Sequence, residues 1–141
     1  MSNAFLTRSV RFSASHRYFR PEWSEERNRE TFGSCTNAPG HGHNYECVVT
    51  VSGPLDHETS MVLDLKVFDR ILHDEIANRL DHQHINDAEE EFAYGKTIPT
   101  AEALAVFFFQ KVAARLPEGV QLYKVRVQED ANLYADCLGP D

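Results

Sequence analysis

Apolar residues recur along this chain with two different periods, and the switches between them lay out the fold. Over about residues 5–16 the even positions Leu6, Val10, Phe12 and Ala14 are apolar, the period of a strand with one buried face. Asn44-Tyr45-Glu46-Cys47-Val48-Val49-Thr50-Val51 is rich in β-branched and aromatic residues and predicts a second strand over about 43–53, ended by Gly53-Pro54. From Asp64, the positions Phe68, Ile71, Leu72, Ile76 and Leu80 follow helical spacing. A second helix starts after Pro99 with Thr100 as N-cap and carries Leu104, Ala105, Phe108, Val112 and Leu116 as its apolar stripe. Phe107 and Phe109 widen that stripe, which predicts a thick core. Pro117-Glu118-Gly119 stops the helix. Residues 120–129 then alternate, with Tyr123, Val125, Val127 and Glu129 sharing one face, and a last short strand is expected around 133–137. The stretch 17–40 between the first two strands is a long loop with room for a short helix within 21–28, capped by Ser24. A loop of that length between two strands is often functional. The order predicts an α+β domain: four strands in antiparallel pairs, with two helices between the pairs.

The 141 residues suit one domain with a single core, and no repeat, low-complexity tract or linker divides them. A 42% hydrophobic content is that of a globular chain. No apolar run approaches the ~20 residues that span a bilayer, and Phe5-Leu6 is followed at once by Thr7-Arg8-Ser9, which is no secretion signal. Cys35, Cys47 and Cys137 are odd in number and form no disulfide framework, so a reducing, cytoplasmic setting is expected. The net charge of -8 argues against a nucleic-acid partner. It leaves room for an anionic small molecule held by a local basic pocket.

Chemistry concentrates at His41-Gly42-His43. Side chains two apart on a strand point to one face, so both imidazoles can reach a single ion. A third ligand is needed for a catalytic zinc site, and His16 closes the apolar face of the first strand. One histidine in such a place is ordinarily a satisfied buried group; three arriving from two strand ends point to metal. Cys35 lies in a loop six residues before His41, where packing gives a cysteine little reason to be, and is expected to be the reactive thiol, with a lowered pKa beside the metal. Cys47 and Cys137 are read as packing residues. Asp81-His82 is a candidate acid–base pair, although adjacent Asp-His also arises as a helix exit beside a surface histidine. Glu129 ends an apolar face, where a carboxylate is costly unless a ligand donates N–H groups to it or it projects into water. His57 and His73 are read as surface residues; His84 is left open.

Taken together, Phe12-Ser13-Ala14-Ser15-His16, Phe32-Gly33-Ser34-Cys35, Pro39-Gly40-His41-Gly42-His43-Asn44-Tyr45, Met61-Val62-Leu63-Asp64-Leu65, Leu80-Asp81-His82 and Pro99-Thr100-Ala101-Glu102 resemble the 6-pyruvoyl-tetrahydropterin synthase family, in that order and over nearly the whole chain. The resemblance implies a T-fold: a four-stranded antiparallel sheet with two helices on one face. Subunits of that fold form a barrel of three and stack in pairs of rings as a homo-hexamer, with active sites between subunits. It implies Zn2+ on His16, His41 and His43, catalysis by Cys35, Asp81 and His82, and substrate binding by Glu129, the pterin anchor, and by Thr100. The implied substrate is 7,8-dihydroneopterin triphosphate, which loses triphosphate while its side-chain hydroxyls become a diketone, without an external redox cofactor. Neither a membrane nor a nucleic acid is implied.

Two neighbouring readings remain. A 6-carboxy-tetrahydropterin synthase of queuosine biosynthesis takes the same substrate, but its cysteine usually lies closer to the His-Gly-His triplet than Cys35 does here, across Thr36–Gly40. A non-catalytic pterin- or metal-binding T-fold protein would not need Cys35 or Asp81-His82, and both are present. Ser60 stands where the family usually has glycine, and Ala101 where a second hydroxyl is common, which weakens one expected pterin contact.

Overall fold

A computed structural model describes residues 2–140. Five strands form one sheet in the order β3-β1-β2-β4-β5. The strands are β1 (Asn3–His16), β2 (His41–Pro54), β3 (Gln83–His84), β4 (Gln121–Asp130) and β5 (Leu133–Cys137). The β1–β2, β2–β4 and β4–β5 pairs are antiparallel, the four-strand arrangement expected. The fifth strand, β3, was not anticipated. It is two residues long, runs parallel to Ala14 and Ser15 of β1, and is too short to carry any period.

The helices are α1 (Glu25–Phe32), α2 (Leu65–Leu72), α3 (Asn78–Leu80), α4 (Ile85–Ala88) and α5 (Ala101–Ala113). A π-turn at His73–Ala77 joins α2 to α3, so the expected single helix from 64 to 80 is continuous but widened. Ser24, Asp64 and Thr100 cap α1, α2 and α5, each side chain accepting from a backbone N–H of the first turn. The core lies between the helices and the sheet face of Val10, Phe12, Ala14, Tyr45, Cys47, Val49, Val125 and Val127. Phe107, Phe108 and Phe109 are all buried, and Phe108 packs edge-on against Phe12 at 5.9 Å.

One face assignment fails. Tyr123 is exposed rather than inward with Val125 and Val127. Thr50 pairs with Lys124 and Val51 with Leu122, so Tyr123 is the extra residue of a β-bulge, and the alternation shifts by one beyond it. The opposite face of the sheet is polar. Thr7 bonds Thr50, Arg11 pairs with Glu46, Ser13 bonds Asn44 and Arg126 pairs with Asp136. No helix is long and apolar enough to cross a membrane.

Candidate active site

Strand register builds the centre. His16, the last residue of β1, is paired with His41, the first of β2, and the β2–β4 register brings Glu129 beside Tyr45. Even positions of β1 and odd positions of β2 and β4 face the helices, so His16, His41, His43 and Glu129 emerge on one side at one end of the sheet. One ligand atom from each lies within 4.8 Å of all the others. Gly40 makes the tight approach possible: its φ is +119°, and a Cβ there would overlap the His16 carbonyl.

The donor geometry fits a zinc ion on the three histidines. Tetrahedral zinc with bonds of ~2.0–2.1 Å to imidazole sets its ligand atoms roughly 3.3–3.4 Å apart. His16 Nε2 and His41 Nε2 are 3.3 Å apart. His43 Nε2 is buried and makes no hydrogen bond, although Glu129 Oε1 is 2.7 Å away, because the two groups aim past each other. That spacing is shorter than a tetrahedral edge, which sets the carboxylate beside the three-nitrogen group rather than at its fourth corner. Glu129 is therefore part of this centre, where the sequence had set it apart as a ring anchor. Its Oε2 is buried and unpartnered.

The environment keeps the donors ready for a cation. Burial, reinforced by His41 and His43, pushes the His16 imidazole down to about 3. Burial also lowers His41 and His43, so all three stay neutral near pH 7. The Glu129 carboxyl is raised, by burial first and against the pull of His41. The second nitrogen of His16, Nδ1, meets the Tyr45 hydroxyl at 2.9 Å. Nδ1–H bonded to that oxygen leaves the Nε2 lone pair for the metal.

Cys35 sits half-buried in a short 3₁₀ turn, Gly33–Thr36. Its carbonyl accepts from the Tyr18 amide at 3.0 Å, tying the thiol-bearing turn to the segment just after His16. Aromatic packing stiffens this loop: Tyr18 lies 4.8 Å from the His16 ring and 5.8 Å from Phe32, and Phe32 stacks on Trp23. The expected lowered thiol pKa is not what the protein groups alone produce. Burial, then the Glu129 carboxylate, push Cys35 up, so a thiolate here needs an added positive charge.

Asp81 and His82 are not brought to Cys35 within this chain. Asp81 Oδ1 accepts from the Ser13 amide at 2.9 Å and Oδ2 lies 3.1 Å from His82 Nδ1, so the carboxylate does orient the imidazole. The His82 side chain is 83% exposed, with φ at +62°. It opens on a shallow groove shared with Ser13, Gly42, Asn44 and His84. His84 proves to be a tie, bonded through Nδ1 to Ser15 and through Nε2 to Tyr94. Thr100 Oγ1 accepts from the Ala103 amide as the α5 cap, which leaves its own hydroxyl proton to donate.

Three residues at this centre escaped the sequence reading. Tyr18 and Tyr45 each follow a histidine ligand by two, so the same period that selected the ligands contains them. Exposed Glu102, in the first turn of α5, is near enough to raise both Glu129 and Tyr18. It was visible only as part of the Pro99–Glu102 motif.

The model of the family described as 6-pyruvoyl tetrahydropterin synthase matches residues 5–140. A Drosophila melanogaster 6-pyruvoyl tetrahydrobiopterin synthase is 39% identical over 97% of this chain and 80% of its own length. The Homo sapiens protein of the same name is 40% identical over 92% of this chain and 87% of its own. The Caenorhabditis elegans 6-pyruvoyl tetrahydropterin synthase structure superposes with a TM-score of 0.91 at 31% identity, covering 99% of this chain and 98% of that one. With a T-fold sheet, a three-histidine centre and a neighbouring cysteine already in place, these matches make the chain a member of the 6-pyruvoyl tetrahydropterin synthase family.

Proposed function

We propose that this protein is a zinc-dependent lyase that converts 7,8-dihydroneopterin triphosphate to 6-pyruvoyl-tetrahydropterin with elimination of triphosphate. The observation that carries the reading is the convergence of three neutral imidazoles and a buried carboxylate beside a half-buried cysteine, in a chain whose relatives bear that enzyme's name. The reaction balances internally. The two hydroxyl-bearing carbons rise to ketones, the ring falls from dihydro to tetrahydro, and triphosphate leaves, so no outside oxidant is required.

His16, His41 and His43 would hold the zinc. A zinc ion there polarises adjacent hydroxyls and makes the neighbouring C–H bonds more acidic. Cys35 is placed to take a carbon-bound proton as thiolate. Glu129 Oε2, buried and without a partner, is the acceptor for substrate donors. In the sequence reading those donors are pterin N–H groups; beside the imidazoles, the substrate's side-chain hydroxyls are nearer candidates. Thr100 donates its free proton to the bound ring.

The exposed Asp81–His82 pair is best explained by assembly. In a homo-oligomer, here taken as a hexamer of two stacked trimers, the pair of one subunit meets the cysteine of another. The unpaired outer edges of β1 and β5 are surfaces on which such a barrel could close.

Incubation of purified protein with dihydroneopterin triphosphate, with products identified by mass spectrometry, tests the reading. A diketone pterin with stoichiometric triphosphate is expected. A 6-carboxy pterin with acetaldehyde moves the chain to the other synthase reaction, and no product at full zinc loading leaves it a binding protein.

A further inference from the structure

We infer that Arg17 is the centre of a separate oxyanion subsite that takes the phosphate end of the substrate, an assignment resting on the enzyme reading above. The argument starts from the arginines. Of the ten in the chain, Arg8, Arg11, Arg20, Arg29, Arg79, Arg115 and Arg126 each have a carboxylate within ion-pair distance. Arg17, Arg27 and Arg70 do not. Arg27 and Arg70 are exposed, and water satisfies them. Arg17 is half-buried, where an unpaired guanidinium is costly unless an anion meets it.

Its geometry is set in advance. Arg17 Nε donates to the Thr36 carbonyl at 2.7 Å, and the guanidinium lies 4.0 Å over the Phe19 ring. Its backbone is clamped from behind: Asn86 Oδ1 accepts from Arg17 N, and Asn86 Nδ2 donates to Arg17 O. With Nε occupied and the plane fixed, the two Nη groups make no hydrogen bond within the protein and are left as a fork, the arrangement that grips a phosphate through two parallel bonds.

The fork borders a cavity of about 410 Å³, also lined by Asn28, Arg29, Thr36, Asn37 and Glu25. Glu25 opposes an anion, but Arg29 pairs with it at 3.5 Å. Thr36 is 5% exposed and its Oγ1 has no partner. This is a second unmet polar group in the same wall.

The position suits a leaving group. Arg17 follows the ligand His16 and Thr36 follows Cys35, each one ~3.8 Å backbone step away. Residues alternate along the extended segment, so Arg17 and Phe19 leave on the side opposite His16 and Tyr18. The phosphates are then drawn around the Gly33–Thr36 turn and held off the three histidines. Triphosphate binds divalent metals strongly, and a subsite apart from the zinc keeps the product from competing for it.

The test is calorimetric titration of the native zinc-loaded assembly with inorganic triphosphate, with zinc content checked after each run. Saturable, salt-sensitive binding is expected. Arg17→Gln should weaken it about tenfold or more, since charge-assisted bonds to a fork are lost, while the affinity for phosphate-free dihydroneopterin stays unchanged. Should Arg17→Gln fail to fold for want of its Thr36 anchor, Arg17→Lys keeps the charge without the fork and should still lose most of the affinity. No binding of inorganic triphosphate to wild type, or equal affinity in the folded variants, overturns the assignment and leaves Arg17 a structural tie. Failure of the enzyme reading shows elsewhere, as absent turnover of dihydroneopterin triphosphate in a protein that still binds inorganic triphosphate.

Discussion

Replacing Tyr45 by phenylalanine removes one oxygen and nothing else from the wall behind His16. Tyr45 is 1% exposed and its ring stacks on Phe12 with centroids 4.8 Å apart, so the phenyl group of the variant keeps its packing. The hydroxyl lies 2.9 Å from His16 Nδ1, in a place closed to water. Zinc on Nε2 requires the proton on Nδ1, and that proton would lose its acceptor. Leaving a buried donor unmet costs about 1–3 kcal/mol. The alternative, moving the proton to Nε2, forfeits the metal bond instead. Either way the penalty falls on the zinc-bound state. Losing an outer hydrogen-bond partner of a metal ligand typically weakens affinity about 10–100-fold, which is about 1.4–2.7 kcal/mol at 298 K. The Pro99 carbonyl, which also acts on the His16 ring, can take up part of the loss and holds the effect toward the lower end. Competition for zinc against a chromophoric chelator measures it, with a urea titration of the metal-free proteins as control. A zinc affinity within about twofold of wild type, with stability also unchanged, would refute the tautomer argument.

Cys35→Ala should retain zinc and bind pterin while losing turnover, since the thiol is proposed to act only as the proton is removed; a turnover rate near wild type sinks that role. Gly40→Ala should abolish zinc loading and destabilise the fold by more than about 3 kcal/mol, because a Cβ meets the His16 backbone at a φ of +119°; a stable, zinc-replete variant contradicts the close approach of β1 and β2. The metal-free protein should lose stability as pH falls from 6.5 toward 3. Over that window the unfolded chain protonates His16, whose ordinary value is 6.5, and the native chain, with His16 at about 3, does not. Metal-free His16→Asn should show a flatter curve there in thermal melts, and identical slopes would contradict the burial of a neutral imidazole.

What could be read from the sequence, and what could not, divides along physical lines. Period-2 patterning carried the four long strands and the ligands His16, His41 and His43, because each lies on a face whose other members are apolar. It failed at Tyr123, where one inserted residue shifts the alternation and nothing in the residue types marks the bulge. It also missed β3, whose two residues are held by bonds to β1 and not by any pattern of their own. Glu129 was legible as a carboxylate at the end of an apolar face, but its partners were not. They depend on the β2–β4 register, which sets it beside Tyr45 and hence against His43.

The same distinction separates the two kinds of residue around the centre. The ligands announce themselves by type and spacing. The groups that make them work are ordinary residues given a task by position: Tyr45 behind one imidazole, Gly40 where two strands touch, Tyr18 bonded to the carbonyl of Cys35. Asp81 and His82 form a third case. Their chemistry is plain in the sequence, yet the fold of one chain turns His82 into solvent and away from Cys35. A short exit from α3 at positive φ is an expensive way to present a surface histidine. The cost has a use if the imidazole completes the site of a neighbouring subunit. Zinc binding, which needs one chain, should then survive dissociation of the assembly, and turnover, which needs two, should not.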